Sequence, residues 1–101
     1  MDTHMSKPLV TIENWAVVQR GAYAAYQALE PGNILTGKVF GHDRLADAKS
    51  IYTSAIISVN PDELVVETRN TFYLLGAVSE DYKNSEEYKS WDRERKAPAA
   101  A

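Results

Sequence analysis

The sequence predicts an α+β domain that is mostly β. It reads as a small, strongly bent antiparallel sheet with a short helix near residues 22–30 and a C-terminal helix near residues 85–96. Three observations carry this expectation. The stretch from Ile34 to Gly76 holds most of the β-branched residues of the chain and is punctuated by turn-forming clusters. Within it, Ser50 to Val59 alternates, with Ile51, Thr53, Ala55, Ile57 and Val59 on one side and Tyr52, Ser54, Ile56 and Ser58 on the other. From Ser79 onward the composition becomes charged and helix-forming. Short strands, tight turns and one long loop point to a sheet curled into an SH3-like barrel. The alternative is an open meander with the short helix across one face.

The elements follow in order. Residues 1–8 (MDTHMSKP) read as a disordered end. His4-Met5 has the look of a cloning scar with the natural start at Met5, so His4 enters no site argument. Residues 9–19 fit two templates. Ile12, Trp15 and Ala16 have helical spacing with Thr11 as cap, whereas Trp15, Val17 and Val18 are strand formers ahead of the Arg20-Gly21 break. A strand from about Asn14 to Gln19 is favoured. Ala22 to Glu30 is alanine-rich and ends at Pro31-Gly32-Asn33, which predicts a short helix docked through Tyr23, Tyr26 and Leu29.

Ile34 to Phe40 reads as a strand with Leu35 and Val39 on one face and Thr36 and Lys38 on the other. Gly37 in its middle predicts a bulge or a close crossing of backbones. Gly41 to Lys49 is a polar loop. After the alternating strand, Asn60-Pro61-Asp62-Glu63 predicts a turn, because Pro at its second position presets φ. Leu64 to Arg69 returns, Asn70-Thr71 turns again, and Phe72 to Leu75 closes the β-rich domain assigned to residues 9–78. In the segment 79–101, Ser85 is an N-cap, Glu86 and Glu87 fill the first turn, and Arg93, Arg95 and Lys96 fill the last. Asp92-Lys96 is an i,i+4 pair, and the apolar stripe is limited to Tyr88 and Trp91. Beyond Pro98 the chain is expected to fray.

At 101 residues the chain suits one domain with a modest core. The acidic balance, net charge -3, counts against binding nucleic acid through phosphate neutralisation. The absence of cysteine excludes disulfides and thiolate metal sites. No apolar run reaches the roughly 20 residues needed to cross a bilayer. Together these favour the cytoplasm, with no membrane, metal or cofactor implied.

The run Trp15-Ala16-Val17-Val18, then Leu35-Thr36-Gly37-Lys38-Val39-Phe40-Gly41-His42, then Ile51-Tyr52-Thr53-Ser54 and Thr68-Arg69-Asn70-Thr71-Phe72-Tyr73-Leu74-Leu75-Gly76 carries a resemblance. Across roughly Trp15 to Gly76 the chain resembles a family of small bacterial and phage-associated proteins of unknown function. It departs from that pattern at Asp43, where the family has Pro, and at Ala48, where the family has Gly. The resemblance implies a phage or mobile-element setting in a bacterial host, with no assigned activity.

The densest polar cluster is His42-Asp43-Arg44 with Asp47 nearby. Catalysis there would need His42 as a base oriented by a carboxylate. A lone histidine without a nucleophile more often ties down a loop, so an enzyme is the last-ranked class. The aromatics outnumber what a small barrel interior holds, so Tyr52 and one of Phe72 or Tyr73 are expected to face outward and contact a partner. The leading expectation is a non-enzymatic module that binds a protein or itself, as a dimer for instance, through Tyr52, Tyr73, Asp43, Asp47, Glu67 and Trp91. Its sharper form is an inhibitor of a bacterial defence complex, similar in size and acidity to anti-CRISPR proteins, with Asp43, Asp47, Glu63 and Glu67 mimicking phosphates. The second class is a nucleic-acid-binding small barrel, which needs Arg20, Lys38, Lys49 and Arg69 on one face.

Overall fold

The structure is a computed structural model and describes residues 7–42 and 45–96. The expected disordered start, the frayed tail, Asp43 and Arg44 fall wholly or largely outside those residues. Seven strands form one bent sheet: β1 (Leu9–Gln19), β2 (Ala22–Tyr26), β3 (Ile34–Phe40), β4 (Lys49–Ala55), β5 (Ser58–Asn60), β6 (Val65–Glu67) and β7 (Phe72–Leu75). Two helices follow, α1 (Glu80–Lys83) and α2 (Glu86–Lys96). The spatial order is β4-β3-β1-β7-β6-β5, with β2 paired to β1 off that path.

β1 is the hub. β3 runs antiparallel along one side of it, while β7 and β2 share the other. Residues opposite one another in register share a face of the sheet. One face therefore carries the rows Val59–Val66–Tyr73–Val10, Leu75–Ile12–Val39 and Val17–Leu35. All of these are buried except the half-buried Val59, and they form the core with Leu29, Ile56 and Tyr82. The other, outer face carries Phe72–Leu9, Val65–Leu74–Thr11–Phe40, Glu13–Lys38 and Ala16–Thr36–Tyr52.

The register of β1 against β3 slips between Glu13 and Ala16, opposite Gly37. Asn14 there has φ 53. A Cβ on Gly37 would lie 2.8 Å from the Glu13 carbonyl oxygen and 2.9 Å from Ile12 Cγ1, so the expected close backbone crossing is present. Beyond the slip, Trp15 leaves the strand rows and meets the C-terminal helices. Its ring centroid lies 5.7 Å from that of Tyr82, 6.0 Å from Tyr88 and 6.3 Å from Trp91. Its indole N–H donates to the Gly76 carbonyl at 3.0 Å.

The path into the helices is tied to β1 by backbone bonds: Gly76 N–H to Ile12 O, Trp15 N–H to Ala77 O and Ser79 N–H to Trp15 O. Ser79 caps α1 by accepting from Tyr82 N–H. Ser85 caps α2 by accepting from Tyr88 N–H at 3.1 Å, as its sequence predicts. The Asp92–Lys96 pair also forms, at 3.0 Å. Arg95 reaches the same carboxylate at 2.9 Å without hydrogen-bond alignment and lies over the Trp91 ring. The tail thus packs on its own sheet.

Four expectations are corrected. Residues 22–30 form β2 and a loop, not a helix: Tyr26 pairs with Val18 and Ala22 with Gln19. A helix of this length has little stability of its own, so the free edge of β1 prevails over alanine propensity. The Ser50 to Val59 strand breaks at Ile56-Ile57. Ile56 exchanges backbone bonds with Gly32 and Asn33, and Ile57 N–H donates to Glu67 O. This break reverses the expected faces, burying Ile56 and exposing Ile57. The sheet is not wholly antiparallel, since β1 starts earlier than expected and Leu9 to Ile12 runs parallel to β7. Finally, the sheet is bent but unclosed, so the barrel is incomplete.

Candidate functional site

Two surfaces compete for function. The first is a cleft of about 780 Å³ on the core side, between β4 and the turn joining β6 to β7. Its lining includes Val10, Leu45, Ile51 and Tyr73 as apolar residues, with Thr53, Ser54, Thr68, Asn70 and Thr71 as polar ones. His42 and Tyr52 also border it. Thr68 and Thr71 are buried. The Thr68 N–H and hydroxyl both donate to the Thr71 carbonyl, at 2.9 and 3.2 Å, which holds the turn rigid. Burial pushes the Tyr73 phenol up, while hydrogen bonds with Thr71 and Thr68 pull it back.

The second surface is the outer face of the sheet. Leu9 is 59% exposed, Tyr52 57% and Leu74 39%, and Phe40, Val65 and Phe72 on the same face are half-buried, with the Glu13–Lys38 row between Tyr52 and Leu74. The Tyr52 ring stacks on Tyr23 of β2 at 4.7 Å, with the ring planes 16° apart. At the other margin, Lys7 is bonded to the Glu67 carboxylate and to the Thr68 carbonyl, the latter at 2.8 Å, and lies over the Phe72 ring. Bonds from Lys7 and Ser58 hold the Glu67 carboxyl below the usual carboxylate range.

The expected site residues separate on this framework. Tyr52 faces outward as predicted. Tyr73 does not: register puts it on the core face and it is buried, so Phe72 is the more outward of that pair. Trp91 stands edge-on to Trp15 instead of waiting for a partner. Asp47 accepts from Gly41 N–H at 3.0 Å and so closes its own loop; it does not line the cleft that His42 borders. Glu63 accepts from Asn60, and Asn60 in turn caps the Asp62 and Glu63 N–H groups. Among the described residues, no three His, Cys, Asp or Glu side chains gather as a metal site requires. The four cations of the nucleic-acid reading are divided by register: Lys38 pairs with Glu13 on the outer face, whereas Lys49 pairs with Val39 on the other.

Sequence reasoning missed Leu9, Leu74 and the Tyr23–Tyr52 stack. The first two follow from the parallel pairing of β1 with β7, a long-range choice with no local signal. Tyr23 lies in a segment whose alanines predict a helix, whereas it belongs to β2. No protein-family model matches the chain, and comparison with curated proteins and with solved structures returns no match.

Proposed function

We propose that this chain is a non-enzymatic protein-interaction module that binds a partner protein through the outer face of its sheet. One observation carries the reading. Leu9, Leu74 and Tyr52, three of the five exposed large hydrophobic side chains among the described residues, share that face with half-buried Phe40, Val65 and Phe72. Isolated apolar residues on a surface are ordinary, but several gathered on one face favour a contact. The resemblance of residues 15–76 to phage-associated proteins supports a mobile-element setting inside a bacterial host. There the module would act as an inhibitor of a defence complex. Asp47, Glu63 and Glu67 are each engaged in local bonds, so the proposed affinity comes from apolar contact more than from phosphate mimicry.

The test places a photo-crosslinking amino acid at Leu74, with the same residue at Lys89 on α2 as control. A discrete heavier adduct from Leu74 and none from Lys89 is the expected result. An adduct of twice the chain's mass would reassign the face to self-association. No adduct from Leu74 would remove the reading.

A further inference from the structure

β4 and β5 are the two ends of the sheet, yet they are consecutive in the chain and joined through Ile56 and Ile57. The chain passes from one end of the sheet to the other at the corner formed by Ile56-Ile57. There, Ile57 N–H donates to Glu67 O at 2.8 Å and Arg69 N–H to Ser54 Oγ at 3.4 Å. Away from that corner the cleft lies between the outer edge of β4 and the turn of residues 68–71 that joins β6 to β7. Ile51, Tyr52, Thr53 and Ser54 line it in an unbroken run. Successive side chains of a strand point to opposite faces. A cleft lined by four in succession thus runs along the strand's edge, where main-chain donors and acceptors are presented. Among the described residues, no strand pairs with that outer edge of β4, and none of the residues lining the cleft is Asp, Glu, Lys or Arg.

We propose that the cleft takes an extended, uncharged peptide segment of a partner protein, added as a strand along the outer edge of β4. One apolar side chain of that segment sits against Val10, Leu45, Ile51 and Tyr73. In strand addition the main-chain bonds supply affinity, and pockets for alternate side chains supply specificity. Among the described lining residues there is no Asp, Glu, Lys or Arg to pair with a charged side chain of the segment, which would lose water on entry. Tyr52 borders both surfaces, but Leu9 and Leu74 lie on the opposite side of the sheet from the cleft, so responses at those two residues tell the two readings apart.

The experiment selects a displayed random heptapeptide library against the full chain. The ¹⁵N-labelled full chain is then titrated with each enriched peptide, synthesised with blocked ends. Enriched sequences should be uncharged, with an apolar residue at one shared position. Amide shifts should change at Ile51 to Ser54 and at Thr68 to Tyr73. N-methylation of alternate peptide residues should weaken binding about tenfold in one register and little in the other, because only one set of N–H groups faces β4. Asn70→Glu, in an exposed turn, should also weaken binding, while Leu74→Glu should not. If Asn70→Glu unfolds the chain, the N-methylated series on the unaltered protein decides alone. Failure to enrich any peptide, shifts centred on Leu9 and Leu74, or indifference to N-methylation in both registers would each overturn the proposal. So would shifts at Ile51 to Ser54 on raising protein concentration without peptide, which would give the edge to a second copy.

Discussion

Two neighbouring rows of the sheet, Ile12–Leu75 and Thr11–Leu74, lie on the same pair of strands one residue apart. Ile12 is 0% exposed and Leu75 6%, whereas Leu74 is 39% exposed. Leucine sits in both rows, so residue type does not set the difference. What differs is the cover. The curl of the sheet, together with Leu29, Ile56 and Tyr82, closes over the first row. Leu74 has no comparable roof. A strand has one register, and each step along it exchanges faces, so the fold chooses which leucine is core and which is surface.

Truncation on each side separates the two rows most strongly. Ile12→Ala should cost about 3 kcal/mol, the range for a large buried aliphatic side chain. Leu74→Ala should stay within about 0.5 kcal/mol. Urea unfolding of both variants checks this, and equal losses would mean that the outer face is packed too. Next in size is Gly37→Ala, whose Cβ would meet the Glu13 carbonyl and Trp15 Cα of β1 as well as the buried Ile12 side chain. A loss of about 2 kcal/mol is expected, with the core-face row from Leu35 to Val39 disturbed. Ala48→Gly, outside both rows, should gain about 1 kcal/mol, because Ala48 holds φ 67, where its Cβ is strained. Thermal unfolding would show a higher midpoint, and no gain would mean that the loop relaxes at no cost.

The smallest effect belongs to Glu67 on the outer face. Its folded carboxyl titrates below its ordinary value of 4.5, chiefly through the bond from Lys7 and then that from Ser58. A depressed carboxylate contributes stability above its unfolded pKa and loses it as pH falls through the folded one. Glu67→Gln should therefore lower the unfolding midpoint slightly at neutral pH. The gap to the unaltered protein should close as pH drops below 4.5. A gap that ignores pH would mean that the Lys7 bond does not hold the charged form.

Much of this architecture was legible wherever a local signal and its tertiary use coincide. The alternation of β3, the turn at Asn60 to Glu63, the faces of Val66 and Thr68 against Val65 and Glu67, and the cap and charge order of α2 could be read directly. So could the close approach at Gly37, since a glycine in mid-strand has few other uses. Of the candidate site, Tyr52 was legible as an outward aromatic. Its stacking partner Tyr23 was not, because the alanines around it favour a helix until the edge of β1 offers backbone bonds.

The sequence by itself determined a small, mostly β domain with a charged C-terminal helix, because alternation, turn residues and helix caps act over a few residues. Only the tertiary structure decided that Leu9 to Ile12 lies parallel to β7, that the Ser50 to Val59 run breaks at Ile56, and that the sheet stops short of closure. Each of these depends on which distant backbone groups satisfy one another's hydrogen bonds. That competition is settled by the whole chain at once, and it leaves both the apolar outer face and the unpaired outer edge of β4.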